Sequence, residues 1–251
     1  MVSLQIFMSY QQFEMNIQEI TYILLGEKNM AYFDSQKYVD WAVFLLENGF
    51  ESESLVILAG LDSYPTEEKE KYFWKSIEEL DIKIEKNNSE LIEFYADFIA
   101  KQVIENKINP MIGLTKMLDV VRATDYHYKY IQFDFLDEDI HYLNYSQTTV
   151  FNAGLTLDNQ EEFVKEEFQL FLEMNQLEID NSYREQSYCL KCNTFGKPIL
   201  KTKYQLKKPH KYLTYACDNC GSVKLEHFNN HKTKRRIIEM VKNETLKKCN
   251  H

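Results

Sequence analysis

The chain is short of the residues that make turns, with seven Gly and four Pro among 251 residues. An all-β sandwich needs a turn signal roughly every 8–12 residues, so this scarcity favours long helices. No apolar run reaches the roughly 18 residues that a membrane-spanning helix requires. We therefore expect a mainly α protein that has no membrane partner.

Leader and catalytic motifs are missing as well. Residues 1–7 lack the basic stretch and the small-residue cleavage site of a signal peptide, which predicts a cytoplasmic location. The chain has no P-loop, no G-x-G-x-x-G, no G-x-S-x-G and no H-E-x-x-H. This favours a non-enzymatic protein. An enzyme with an unrecognised site in the 125–145 region is the alternative.

Residues 1–181 show helical periodicity throughout. Apolar residues recur at i, i+3, i+4 and i+7, as at Tyr38, Trp41, Ala42 and Leu45. The predicted helix starts are Ser35, Ser52, Pro65–Thr66, Ser89, Asn109–Pro110 and Asp158 or Asn159. About seven or eight helices without a repeat period predict an irregular or HEAT-like helical domain.

The pattern changes after residues 180–182. From Lys201 to Lys207, polar and apolar residues alternate, which is typical of a strand. The alternation predicts an inward face and an outward face. Thr202, Tyr204 and Leu206 are predicted to point inward, and Lys201, Lys203 and Lys207 outward. Further strands are predicted over 212–216 and 223–228, and a helix over 232–248.

Four of the five cysteines form two C-x-x-C units, Cys189/Cys192 and Cys217/Cys220, separated by a predicted hairpin. In a reducing compartment, paired C-x-x-C units indicate a metal site more often than disulfides. Residues 185–230 resemble a zinc ribbon. The resemblance implies one structural Zn²⁺ with four thiolate ligands and no open position for water. His227 and His231 are weighed as alternative ligands, but the favoured interpretation makes them ordinary surface or hairpin histidines.

Charge divides the sequence near residue 181. Residues 1–181 contain 13 Lys and Arg against 34 Asp and Glu, whereas residues 182–251 contain 16 against 5. This predicts two modules, an acidic all-helical interaction domain over 1–181 and a basic zinc-ribbon domain with a tail helix over 182–251.

The basic module offers a candidate contact surface for nucleic acid or for an acidic partner, including the chain's own acidic module. Its candidate residues are Lys201, Lys203, Lys207, Lys208, Lys211, Arg235 and Arg236.

The acidic module has its densest cluster next to aromatic residues. The candidate partner contacts are Asp134, Asp137, Glu138 and Asp139, and the alternative is a solvated helix face. The acidic, helical, Tyr-rich composition is broadly similar to that of bacterial immunity or antitoxin-type proteins. The leading hypothesis is therefore capture of a basic protein. The runner-up is a factor that binds DNA or RNA through the ribbon. The oligomeric state stays open.

Overall fold

The structure, a computed structural model, describes residues 16–249, with side chains described as far as residue 245. The segment on which the predicted absence of a signal peptide rests, residues 1–7, lies outside the described residues. The chain forms two compact units that divide between Tyr130 and Ile131. The protein is mainly α, as predicted, with a few short antiparallel strands in the C-terminal part.

The first unit is helical over its described residues. Its helices are α1 (Ile17–Lys28), α2 (Gln36–Glu47), α3 (Glu53–Ala59), α4 (Thr66–Glu79), α5 (Asn88–Ile104) and α6 (Pro110–Ala123).

All the predicted helix starts except Ser89 are confirmed, including Asn159 before the helix Gln160–Gln176. The Ser52 hydroxyl accepts the backbone N–H of Leu55 at the start of α3. Pro65 precedes the first residue of α4. At α6 the side chain of Asn109 accepts the N–H of Met111, and a proline occupies the first helical position, where no N–H is needed.

Two predicted caps differ from the structure in different ways. Ser35 is the N-cap residue of α2, as predicted, but its side chain makes no capping bond, and the carboxylate of Asp34 accepts the first N–H of α2 instead. Ser89 lies inside α5. Its cap is Asn87, which forms a reciprocal capping box with Glu90. Several adjacent residues in each segment can cap, and the sequence does not say which of them the backbone selects.

The core of the first unit forms around aromatic rings. Trp41 and Phe73 are fully buried, with ring centroids 4.9 Å apart. Helix α1 packs against α5. A Cβ atom added to Gly26 would lie 2.4 Å from the backbone oxygen of Leu91, so only glycine permits this close approach. Because α1 packs on a helix four elements later, the arrangement is the irregular one of the two predicted.

The second unit combines helices and strands. Its elements are α7 (Ile131–Leu143), α8 (Gln160–Gln176), a 3₁₀ helix (Asn181–Glu185), β1 (Ser187–Cys189), β2 (Phe195–Gly196), β3 (Ile199–Tyr204), β4 (Lys211–Ala216), β5 (Leu225–His227) and α9 (His231–Cys249). The predicted boundary near residue 181 falls inside this unit, and the division into two functional modules stays a prediction.

The strands form two separate sheets. One has the order β2-β1-β5, and the other is the two-stranded antiparallel hairpin β3-β4. Strands β3, β4 and β5 match the predicted ones with shifted ends. Strands β1 and β2 were not predicted, because two or three residues are too few for a period of two to show.

A shared apolar core joins the helices and strands of the second unit. Leu170 and Met174 from α8 pack with Phe228, which follows β5, and with Ile237 and Ile238 from α9. Apolar contacts with α8 and α9 therefore stabilise the ribbon, in addition to any stabilisation by a bound metal. Between residues 16 and 249, no helix is long and apolar enough to cross a membrane.

Candidate metal centre and its surroundings

The first cysteine turn begins where β1 ends. The backbone N–H of Cys189 donates to the carbonyl of Thr194 at 3.0 Å, and the N–H of Asn193 donates to the carbonyl of Cys189 at 2.9 Å. Asn193 has a φ of 56°, in the left-handed region that asparagine tolerates better than most residues. These bonds close a tight turn that holds Cys189 and Cys192 on one side.

The second turn repeats this pattern with different residues. The N–H of Cys217 donates to Ser222 at 2.8 Å, and the N–H of Gly221 donates to Cys217 at 2.9 Å. Gly221 has a φ of 68° and takes the place that Asn193 has in the first turn. Each turn is thus closed by its own backbone bonds.

The four predicted metal ligands come together. The Sγ atoms of Cys189 and Cys220 are 3.6 Å apart, as are those of Cys192 and Cys217. All four sulfurs lie within 4.8 Å of one another. Tetrahedral zinc with bonds of about 2.3 Å would separate its sulfurs by roughly 3.8 Å. The cluster therefore fits a single four-coordinate metal ion.

The thiols perturb one another strongly. The hydroxyl of Thr194 and the neighbouring thiols lower the pKa of Cys192 to about 6. A bond from the Ser222 backbone would lower the pKa of Cys220, but desolvation and the other thiols outweigh it and raise that pKa to about 12. Four thiolates this close repel one another, so full deprotonation calls for a cation between them.

The two candidate histidines lie outside this cluster. His227 pairs its Nδ1 with the hydroxyl of Ser187 at 2.9 Å. His231 is buried against Glu166 and Glu167, with its nitrogens 3.2 and 3.0 Å from their carboxylates. Their alternative interpretation as metal ligands is therefore not supported. His227 is an exposed residue of β5, in keeping with the favoured interpretation. His231 is buried at the start of α9, so the favoured interpretation as a surface or hairpin histidine is wrong for it.

The β3-β4 hairpin has two different faces. Cross-strand pairing places Lys203 opposite Tyr212, and on the other face Thr202 opposite Leu213. The predicted alternation is present, but its inward direction is wrong. The three residues predicted to point inward are exposed, with Tyr204 at 78% and Leu206 at 99%. Within the described residues nothing packs over this face as a second layer would.

The hairpin is also free of acidic residues. Residues 186–217 contain seven Lys and neither Asp nor Glu. Lys197 reaches Glu185 just outside this segment at 2.5 Å. Over the part of the chain with described side chains, no ion pair involves the predicted contact residues Lys201, Lys203, Lys207, Lys208 and Lys211.

The two predicted contact residues on α9 have a different setting. Arg235 forms an ion pair with Glu166 at 2.5 Å. Arg236 pairs with Glu226 and lies 4.1 Å over the ring of Tyr188. Both arginines thus hold elements of the second unit together, and their role in binding a partner stays a prediction.

Sequence reasoning missed a buried ion pair beside them. The ammonium of Lys234 lies 2.5 and 2.7 Å from the carboxylate oxygens of Glu167, and both residues are almost fully buried. Burial alone would raise the pKa of Glu167, but Lys234 and His231 outweigh it and lower that pKa. A basic run in sequence gives no signal that one of its lysines points inward.

The predicted acidic contacts lie on α7, and one of them points into the unit. Asp139 is 1% exposed, and its carboxylate accepts the backbone N–H groups of Val150, Phe151 and Asn152. It fixes a loop and is not available to a partner. Asp134, Asp137 and Glu138 remain the predicted partner contacts.

In comparisons with family models, with curated proteins and with solved structures, nothing matches this chain. The cysteine geometry and the distribution of charge are therefore the observations from which a function can be argued.

Proposed function

We propose that this chain is a non-catalytic zinc protein that binds nucleic acid through the β3-β4 hairpin. The observation that carries the proposal is the exposed, acid-free hairpin between the two cysteine turns. Its lysines have no acidic partner in their own segment, and exposed tyrosines stand beside them.

Zinc is the metal that the donor set favours. Four thiolates in a tetrahedral arrangement are typical of structural zinc, and they leave no position for a reactive water. The metal would fix the two turns, Cys189–Asn193 and Cys217–Gly221, from which the hairpin extends. The zinc ion would therefore position the hairpin and take no part in a reaction.

A nucleic acid matches both kinds of residue on the hairpin. Lysines attract the phosphate backbone, and exposed aromatic rings can stack on bases. Tyr204 and Tyr215 lie on one face with Leu213 between them across the strands. An acidic protein could satisfy the lysines, but it would not by itself account for the exposed rings.

The test is binding of the full, zinc-loaded chain to labelled single- and double-stranded oligonucleotides at several salt concentrations. We expect micromolar binding at low salt. In the variant Lys207→Gln/Lys211→Gln, the slope of log K against log salt should fall by about 2, one for each lost phosphate contact.

The matched control is Lys232→Gln/Lys242→Gln, which removes the same charge from α9, where Lys242 already pairs with Glu173 at 2.8 Å. The proposal fails if the wild-type chain shows no micromolar binding at low salt, or if this control weakens binding as much as the hairpin variant does.

Capture of a basic protein is the second candidate, favoured by the charge of the first unit. Residues 1–130 contain 22 Asp and Glu against 12 Lys and Arg. Such an excess promotes fast association with basic proteins. A partner that the full chain recovers equally well with and without Lys207→Gln/Lys211→Gln would support this candidate over the first.

A further inference from the structure

The second unit has another candidate binding surface, which is acidic where the hairpin is basic. A groove with a volume of about 460 Å³ lies along the C-terminal half of α7. The residues that line it include Tyr142, Tyr145, Phe151 and Glu138. We propose that this groove binds a lysine or arginine side chain from an extended basic segment of a partner protein.

Hydrogen bonds attach the loop that lines one part of the groove to α7. The carboxylate of Asp139 accepts the N–H groups of Val150, Phe151 and Asn152 at 2.6, 2.9 and 2.6 Å. The ring of Phe151 also stacks on Phe135, with centroids 4.5 Å apart and planes inclined by 15°. A buried, fully bonded carboxylate thus fixes the loop 150–152 against α7, and the groove is formed before anything binds.

The aromatic lining is exposed. Tyr142 in the last turn of α7 is 48% exposed, and Tyr145, just past the end of that helix, is 83% exposed. Tyrosine faces attract cations, and the effect strengthens when the cation is partly withdrawn from water. Val150 and the rings can also cover the methylene stem of a long cationic side chain.

Charge selects the kind of occupant. Residues 131–164 contain seven Asp and Glu but neither Lys nor Arg. Among the residues described as lining the groove, His141 has the single basic side chain. With Glu138 and Asp137 among its lining residues, the groove is complementary to a cation and would repel an acidic segment.

This site is separate from the hairpin in residues and in charge, so it extends the proposed function and does not depend on it. A chain with both surfaces could hold a nucleic acid and a basic protein at the same time.

The experiment uses the full, zinc-loaded chain and a fluorescent hexapeptide of alternating leucine and arginine. A second peptide with glutamine in place of arginine is the ligand control. We expect saturable binding of the arginine peptide, with at least tenfold weaker binding of the glutamine peptide. The variants Glu138→Gln and Tyr142→Ala should each weaken the arginine peptide by about three- to fivefold.

Both substitutions are at exposed positions, so circular dichroism should show an unchanged fold. Glu239→Gln, an exposed carboxylate on α9, is the matched charge control and should leave binding unchanged. Equal weakening by Glu239→Gln, or no saturable binding at millimolar peptide, would overturn the proposal.

A second copy of the chain is the competing occupant, since its hairpin is basic. In that case light scattering would show a dimer of the chain alone, which Glu138→Gln and Lys207→Gln/Lys211→Gln would each dissociate. This outcome would overturn the proposal of a foreign partner. Loss of oligonucleotide binding in Lys207→Gln/Lys211→Gln, in contrast, bears on the hairpin alone.

Discussion

Helix α9 and the β3-β4 hairpin are both rich in basic residues. Several basic side chains of α9 form ion pairs within the fold, whereas those of the hairpin have no acidic residue in their own segment. On α9, Lys234, Arg235 and Arg236 meet carboxylates of α8 and β5. On the hairpin, the lysines have no acidic residue in their segment, and all of them except the half-buried Lys203 are exposed. The density of basic residues along a sequence therefore does not identify a binding surface. The availability of acidic partners within the fold does.

The ion pairs of α9 also change how the uneven distribution of charge along the sequence is interpreted. Residues 131–251 contain 17 acidic and 17 basic residues, so the second unit is balanced. The opposite charges that predicted two separate modules thus belong, in part, to one unit, where ion pairs hold α9 against α8. The net charge of −10 lies in residues 1–130.

Loss of the metal should have the largest effect, and it should unfold the hairpin while α9 keeps part of its structure. In Cys220→Ser, or after chelation, we expect zinc to fall from one per chain and the turns that carry the hairpin to unfold. Structural zinc in small domains contributes on the order of 10 kcal/mol to folding. Hydrogen exchange should show lost protection over residues 187–227, with partial protection kept in α8 and α9 through their shared core.

Cys249, the fifth cysteine, provides the control, since Cys249→Ser should keep one zinc per chain by elemental analysis. The proposed structural zinc is ruled out if wild-type protein carries well under one zinc per chain and still protects its hairpin.

Removal of the buried cation should have the next largest effect. Lys234→Met leaves the carboxylate of Glu167 buried without its main partner, which costs about 3–5 kcal/mol of unfolding free energy. The double variant Lys234→Met/Glu167→Leu should regain most of this loss, because both charges are then gone. Hydrogen exchange in urea is the measurement, since Trp41 and Trp74 both report on the first unit.

The paired control lies on the hairpin. Lys207→Met, at an exposed position, should change the unfolding free energy by less than about 0.5 kcal/mol, as is usual for surface positions. If the lysine variants on α9 and on the hairpin lost similar amounts of unfolding free energy, the two basic regions would not differ in the way described.

Acid should weaken the α8–α9 contact by a smaller amount. The pKa of Glu167 is lowered in the folded protein, so its contribution to stability is present above the unfolded value of about 4.5 and is lost as pH falls through the folded value. Below about pH 4.5 the second unit should therefore lose stability. Glu167→Gln should flatten this dependence in acid titrations followed by hydrogen exchange, and an unchanged slope would contradict the assignment.

The features predicted well from sequence are those with strong local signals. Helical periodicity located the helices, and the Asn109–Pro110 start was predicted correctly because few residues suit that position. The four cysteines were found because two C-x-x-C units with a hairpin between them are typical of a four-thiolate metal site and of little else.

The features that were missed depend on contacts far apart in sequence. Alternation in the hairpin showed two faces, but only the fold decides whether a second layer covers one of them. Tyr204 and Leu206 were therefore placed inward incorrectly. The burial of Asp139 and of Lys234 depends on residues 11 or more positions away, on a loop and on another helix.

The two cysteine turns have a consequence for how this chain can vary. Each turn is closed by its own backbone bonds, so the sulfurs do not rely on the length of the hairpin between them. Residues added in cross-strand pairs would extend the hairpin by about 3.4 Å per pair and leave the ligands in place. Sequences that evolve from this chain can therefore differ in the length of the hairpin while the four metal ligands keep their positions.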